Sequence, residues 1–306
     1  MIIITAPVHQ ILLDTLKEKG LDFIHDPKLN YESLIEIVNQ ATGLIVATHI
    51  KIDKAMIDEA IQLKWIGRLG SGMEHIDVAY ANEKNINCKS SPEGNRNAVA
   101  EFALGLLLNL MRNIHTSSQE VKQLQWQREL NRGEELSGKI VGIIGYGNTG
   151  TAFAKLLSAF DVSILAYDKY KNGFGDHIVE ESSLENIFKH SDIISLHLPL
   201  NAETSHLANN IFFNQMAKKP IFINTSRGGV VDTSALIYAL KNNLVKSAAL
   251  DVLENENLNT YNEAESKQLN QLLSMKNVII TPHIAGYSFE ANYKMSKILL
   301  EKLGIL

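Results

Sequence analysis

The chain has 306 residues, 45% of them hydrophobic and 21% charged, with a formal net charge of −5 from 29 Lys and Arg against 34 Asp and Glu. That length suits two domains of roughly 150 residues each, and the composition excludes a disordered or low-complexity chain. Scattered basic residues exclude the stripe that nucleic-acid binding needs; with no secretory leader pattern and no apolar run long enough to span a bilayer, a cytoplasmic protein without membrane partners is expected.

Short β-rich runs at 2–5, 21–24, 44–47, 65–68 and 86–89 alternate with helical patterns that end near Gly20, span 31–39 and 54–61, and resume at Ile76. Such alternation predicts a parallel sheet covered by helices. Cys88 is the single cysteine; alone it forms no internal disulfide, and without a Cys/His cluster no metal site is expected. From residue 98 the run Ala98-Val99-Ala100-Glu101-Phe102-Ala103-Leu104-Gly105-Leu106-Leu107-Leu108 predicts one long helix reaching about residue 123 without a break. Its apolar positions outnumber those of one amphipathic stripe, so it needs cover from a domain core or a second subunit. A polar stretch with Trp126 follows. A second β/α series then places strands at 139–145, 162–168, 192–198, 221–225, 247–252 and 278–281, and a closing helix over 288–303 is able to pack back onto the first domain.

The strand at 140–144 runs directly into Gly145-Tyr146-Gly147-Asn148-Thr149-Gly150, which opens a helix over 151–159. This is a G-x-G-x-x-G signature in its strand–turn–helix context. Gly145 permits the tight turn, Gly147 lets a pyrophosphate approach the backbone, Gly150 allows close helix–strand packing, and the helix N-terminus supplies free N–H groups. Asp168 ends the next strand, 18 residues past Gly150, where it can accept hydrogen bonds from ribose hydroxyls. A carboxylate there repels a 2′-phosphate, and Lys169-Tyr170 offers no Arg pair to reverse this, so NAD is expected over NADP.

Three further segments follow apolar strands: Asn224-Thr225-Ser226-Arg227-Gly228-Gly229, Asp251-Val252-Leu253-Glu254-Asn255-Glu256 and Thr281-Pro282-His283-Ile284-Ala285-Gly286. Loops beyond the carboxyl ends of strands line the ligand crevice of open α/β sheets. Hydride transfer to a keto acid needs an Arg for the carboxylate, a general acid that titrates near neutrality, and a carboxylate to hold that acid protonated. Arg227, His283 and Glu256 fill these roles.

Over essentially its whole length the sequence resembles the D-isomer-specific 2-hydroxyacid dehydrogenase family. The match is carried by Gly70-Ser71-Gly72 with Ile76-Asp77, Val99-Ala100-Glu101, the glycine signature with Asp168, His197-Leu198-Pro199-Leu200, residues 224–228, residues 251–256, and Pro282-His283. The resemblance implies an α/β fold of two doubly wound parallel-sheet domains: a discontinuous flavodoxin-like substrate domain (1–97 plus 285–306) and a Rossmann NAD-binding domain (98–284). It implies that Arg227 orients the substrate, that His283 moves the proton and that Glu256 tunes His283. Glu256 is chosen over Glu254 because it stands 29 residues after Arg227, the family's spacing. The amides of Ser71 and Gly72 would bind the substrate carboxylate, and Asp251 would meet the nicotinamide carboxamide. Gly145, Gly147, Asn148, Thr149, Gly150, Asp168, Leu198, Pro199, Thr204, Thr225 and Gly286 would complete the NAD site.

Asn257 stands where the family often has Pro, and the polar loop 255–262 is expected to be mobile. Domain closure is expected about crossovers near 91–97 and 284–288. Residues 91–97 and 68–77 look most like the 3-phosphoglycerate dehydrogenase branch, with Arg68, Lys51 and His49 as phosphate partners. Ala47, however, stands where that branch usually carries Arg, which supports a glyoxylate, hydroxypyruvate or lactate-type reductase as the alternative. The sequence ends at Leu306, so the regulatory C-terminal domain of some branch members is not expected. A different class also resembles this sequence: corepressors that sense NAD without using it in turnover. The helix from residue 98 and the Trp126 stretch match elements of the family's homodimer interface, so a homodimer acting on a small 2-hydroxy or 2-keto acid is expected.

Overall fold

A computed structural model describes residues 1–306. The chain divides into two units, Met1–Arg96 with Tyr287–Leu306, and Asn97–Gly286.

In the first unit five parallel strands, β1 (Ile2–Ile4), β2 (Phe23–His25), β3 (Gly43–Val46), β4 (Trp65–Arg68) and β5 (Asn87–Ser90), lie in the order β2-β1-β3-β4-β5. This is the flavodoxin-like order, and it reverses between β1 and β3. The triplet Ile2-Ile3-Ile4 is β-branched throughout and buried, as a parallel strand covered on both faces requires. Successive side chains point to opposite faces. Ile3, Leu44, Val46 and Ile66 therefore pack with Leu34, Val38, Met56 and Ile57, while Ile2, Ile4 and Ile45 pack with Leu12, Leu16, Leu299 and Leu300.

The last two of those leucines come from the closing helix, Phe289–Lys302, whose N-terminus is capped by Ser288 Oγ accepting from Ala291 N at 3.0 Å. The helix belongs to the first unit, which is consequently discontinuous. It is seated on Gly67, where an added Cβ would meet Leu299 Cδ2 at 3.0 Å. Ser296 Oγ, fully buried, also accepts from His9 N at 3.2 Å.

The second unit holds seven parallel strands: β6 (Ile140–Ile144), β7 (Ser163–Tyr167), β8 (Glu180–Glu181), β9 (Ile193–Leu196), β10 (Ile221–Asn224), β11 (Ser247–Leu250) and β12 (Val278–Ile280). Their order is β12-β11-β10-β9-β6-β7-β8, a Rossmann sheet with its topological switch between β6 and β9. Loops leaving the carboxyl ends of β6, β9, β10, β11 and β12 therefore surround one crevice. β9, β10 and β11 are buried along their whole length. β8 escapes the sequence because its two residues are glutamates on a sheet edge, with no apolar pattern to read.

The long helix expected from 98 to 123 is instead two helices, Pro92–Arg112 and Ile114–Lys122. Proline fits the first turn of a helix, where its missing N–H costs nothing, so the helix begins inside the segment read as a crossover. It ends because Asn113 takes a left-handed conformation (φ 52°), tolerated better by Asn than by most residues. Asn109 Oδ1 accepts from His115 N across the break at 2.8 Å. Neither helix is long and apolar enough to cross a membrane, and no other helix is.

Leu299 is fully buried. Leu299→Ala is expected to destabilise the first unit by about 2–5 kcal/mol, the usual range for emptying a leucine site, read as a lower urea midpoint in amides of β1 and β4 followed by hydrogen exchange.

Candidate active site

The glycine turn after β6 is shaped by backbone crowding. Gly145 has φ 96°, and a Cβ there would lie 2.3 Å from the His197 carbonyl oxygen; at Gly150 it would lie 2.1 Å from the Gly145 carbonyl oxygen. At Gly147 nothing comes within 4 Å of an added Cβ, so the backbone is open on that side. The following helix, Asn148–Leu157, has Gly147 at its N-cap and no capping side chain. Its first N–H groups thus remain available to an anion. These features fit a dinucleotide pyrophosphate, held without a basic side chain.

Asp168 follows β7 directly. Its Oδ2 accepts from Tyr146 N and its Oδ1 from Tyr170 N, both at 2.9 Å. The carboxylate is thereby fixed beside the turn and keeps lone pairs for ribose hydroxyls. Leu198 packs near Gly145, 3.0 Å from the position of an added Cβ. Pro199 and Thr204 close a turn: Thr204 Oγ1 donates to the Pro199 carbonyl at 2.6 Å and accepts from Asn201 N at 2.9 Å. Thr204's hydroxyl is therefore engaged in shaping its own loop. Thr225 Oγ1 is buried without a hydrogen-bond partner at the end of β10, a polar atom that a ligand in the crevice could satisfy.

His197 carries a role beyond its motif. Its Nε2 lies 2.9 Å from Ser195 Oγ and its Nδ1 3.2 Å from Thr149 Oγ1, so β9 is tied through one imidazole to the helix that opens the phosphate turn. Burial lowers its pKa to about 4, so the ring is neutral across the physiological range.

The three loops expected to converge are each locked by a buried polar residue. After β10, Asn224 Oδ1 accepts from Ser226 N (3.0 Å) and Ser226 Oγ (2.7 Å), while its Nδ2 donates to the Arg227 carbonyl at 2.9 Å. Arg227 Nη1 donates to the Ser226 carbonyl at 2.7 Å. Gly228 is required, since a Cβ would lie 1.8 Å from the Leu253 carbonyl oxygen. After β11, Asp251 is fully buried. Its Oδ1 accepts from Thr281 Oγ1 at 2.6 Å and Ile284 N at 3.0 Å, and its Oδ2 from Ala285 N at 2.7 Å. The residue expected at the carboxamide is thus the clamp of the loop that carries His283 and ends at Gly286.

In that loop His283 adopts φ 54°, an uncommon conformation for a residue with a side chain, and its N–H donates to the Asp251 carbonyl at 2.7 Å. Its Nδ1 lies 2.8 Å from Glu256 Oε2. Glu254 is engaged elsewhere: Oε1 accepts from Thr233 N at 2.8 Å and lies 3.4 Å from His206 Nε2. The 255–262 loop, expected to be mobile, is stitched together. Asn255 Nδ2 donates to Thr260 Oγ1 and Glu265 Oε1, Tyr261 OH donates to the Asn255 carbonyl, and Asn257 Oδ1 accepts from Asn259 N. Asn257 thus caps a short turn by hydrogen bonding, a fixing of the backbone that Pro would achieve through its ring.

In the first unit, Arg68, Ser71 and Gly72 sit at the carboxyl end of β4. Gly70, with φ 121°, shapes the bend, and its N–H donates to Ser91 Oγ at 3.2 Å. The Arg68 guanidinium donates to the Leu69 carbonyl. Ser71 and Gly72 lie on the loop that follows.

A family profile described as "D-isomer specific 2-hydroxyacid dehydrogenase, NAD binding domain" matches residues 104–285. The chain belongs to the D-isomer specific 2-hydroxyacid dehydrogenases. It is 34% identical to a D-3-phosphoglycerate dehydrogenase of Methanocaldococcus jannaschii over 99% of this chain but only 56% of that protein's length. It is 36% identical to a hydroxypyruvate reductase of Thermotoga maritima over 90% of this chain and 88% of that one. The crystal structure of a D-lactate dehydrogenase from Aquifex aeolicus, complexed with NAD and lactic acid, superposes with a TM-score of 0.86 at 27% identity, covering 99% of this chain and 95% of the other. Family membership makes the second unit's glycine turn part of an NAD-binding domain.

His197 gives this domain a pH signature. Its folded pKa lies below the unfolded value of about 6.5, so its neutral burial costs nothing above that pH, and stability falls as pH drops toward the folded value of about 4, by on the order of 3 kcal/mol in all. The slope of unfolding free energy between pH 6.5 and 4 should flatten in His197→Asn; an unaltered slope would assign the acid sensitivity to other groups.

Proposed function

We propose that this chain interconverts a small D-2-hydroxy acid and its 2-keto acid with NAD as coenzyme. His283 carries the proton, Arg227 binds the carboxylate and carbonyl oxygen, and Glu256 holds the imidazole. The observation that carries the reading is the 2.8 Å contact of His283 Nδ1 with Glu256, on loops after β12 and β11 of a NAD-binding sheet whose next strand, β10, leads into Arg227.

A bound nicotinamide supplies or accepts the hydride. The chain's own groups handle charge and the proton. Arg227 offers a planar fork of donors that matches a carboxylate. With Nδ1–H donated to Glu256, His283 presents Nε2 to the substrate oxygen, and the carboxylate stabilises the imidazolium when that second nitrogen is protonated. Asp251 keeps the imidazole aimed by clamping its loop. The Ser71 and Gly72 amides are proposed as further donors to the substrate carboxylate.

Among 2-hydroxy acids, 3-phosphoglycerate is assigned first. Support comes from Arg68, His49 and Lys51, which follow or end the adjacent strands β3 and β4, and from the similarity to the Methanocaldococcus enzyme. A second reading, reduction of hydroxypyruvate, glyoxylate or a lactate-type keto acid, is favoured by Ala47, which offers no charge where a phosphate site wants a cation. The similarity to the Thermotoga and Aquifex proteins supports it as well.

We further propose a cytoplasmic homodimer. Supporting this, Ile114, Val121, Leu124 (97% exposed) and Trp126 (77%) are exposed apolar side chains within one stretch of chain, and their burial by a second copy would be favourable. Light scattering at micromolar concentration should give twice the chain mass; a monomeric mass would refute the dimer.

NADH oxidation should be measured against phosphohydroxypyruvate, hydroxypyruvate, glyoxylate and pyruvate. Turnover is expected with at least one, and His283→Asn should lower kcat by about 10²- to 10⁴-fold, the usual worth of a general acid–base, while NADH still binds. Full activity in that variant would remove His283 from the mechanism. NADH binding with no turnover of any keto acid would favour the NAD-sensing reading.

A further inference from the structure

The sequence places a cation, Lys169, directly after the ribose-binding Asp168. A lysine in that position is close enough along the chain to meet a 2′-phosphate. The fold engages it otherwise. Lys169 Nζ lies 2.8 Å from Glu203 Oε2, and the ammonium sits 5.6 Å from the centroid of the Tyr170 ring. Tyr170 OH donates to the same Glu203 oxygen, while Tyr170 N donates to Asp168 Oδ1. One short segment thus joins the ribose carboxylate, the lysine and a second carboxylate.

Glu203 is held for this task by its own turn. Its N–H donates to Asn201 Oδ1 at 2.9 Å, Thr204 N donates to the same oxygen at 3.0 Å, and Thr204 Oγ1 ties the turn to Pro199. The turn leaves the carboxyl end of β9, next to β6 at the switch point, so Glu203 reaches the β7 loop from a neighbouring loop of the same crevice. Both side chains are about half exposed, so Glu203 offsets the lysine's charge only in part, and a phosphate drawn to Lys169 competes with a carboxylate for it.

We infer that Glu203 is a positioning residue for coenzyme selection: by engaging Lys169 together with Tyr170, it withholds the cation that directly follows Asp168 from a 2′-phosphate and so deepens the preference for NAD over NADP. This rests on the reading of the second unit as the NAD site and extends it from Asp168 to a residue 35 positions further on. Other charged groups near the pair are Asp168, which also repels a phosphate, and Lys171, whose Nζ is engaged by the Tyr146 carbonyl at 2.8 Å.

The test is calorimetric titration of the whole protein with NADH and with NADPH, which needs no turnover, so a failed keto-acid assay bears on the substrate reading alone. In Glu203→Gln the Tyr170 hydroxyl keeps an acceptor while the charge is lost. The ratio of NADPH to NADH affinity should rise about five- to tenfold at low ionic strength, and the gain should shrink in 1 M salt, where charges are screened within about 3 Å. Adding Lys169→Met to Glu203→Gln should return the ratio to the wild-type value. A proportional change in affinity for both coenzymes, or a gain that survives the loss of Lys169, would overturn the inference, because a residue that only holds its loop would act on both coenzymes alike.

Discussion

The placing of His283 in the second unit leans on the carboxylate of Asp251. It sits at the end of β11, fully buried, and spends its oxygens on Thr281 Oγ1, Ile284 N and Ala285 N. A buried charge survives only when its hydrogen bonds are complete, and here completing them means drawing the next loop into one conformation. That conformation gives His283 a left-handed backbone, a strain of the kind that persists only where surrounding contacts over-determine it. The imidazole then meets Glu256 without further adjustment. Asn224 does for Arg227 what Asp251 does for His283, with the same economy: one short polar side chain at a strand terminus and several donors from the loop beyond it.

Much of this was legible in the sequence. The glycine signature, Asp168 and the three strand-end segments could be read because strand, turn and helix periodicities fix where backbone ends fall, and chemistry at those ends is a small set of choices. The element boundaries were right to within a residue or two in most strands. What could not be read were the effects decided by side chains from distant segments. The clamp that Asp251 forms on the His283 loop could not be read, because its partners lie 30 to 34 residues away and leave no local trace. The break at Asn113 was invisible because no Gly or Pro marks it, and β8 because two glutamates on a sheet edge carry no apolar signal. The part of the Thr204 hydroxyl in closing its own turn, through Pro199 and Asn201, left no sequence trace either.

The choice of Glu256 over Glu254 shows the same division. Spacing from Arg227 favoured Glu256, and the structure separates the two carboxylates physically: one faces the imidazole, the other takes the Thr233 amide at the start of the helix Thr233–Lys241, where a negative charge interacts well with the helix dipole. Two similar residues two positions apart on an irregular loop point to different neighbours, and the loop's internal hydrogen bonds from Asn255 and Tyr261 keep them apart.

The closing helix has a consequence for the order of folding. Residues 1–96 leave the ribosome first, but the face of their sheet formed by Ile2, Ile4 and Ile45 lacks Leu299 and Leu300 until all of 97–286 has been made. At 5–20 residues per second that interval is on the order of ten to forty seconds. Throughout it the nascent first unit presents an incompletely covered apolar surface, whereas the second unit, continuous in sequence, has everything it needs to fold as soon as it emerges. Residues 1–96 are therefore made before 97–286 yet completed after them, and chaperone demand during synthesis should fall on those residues.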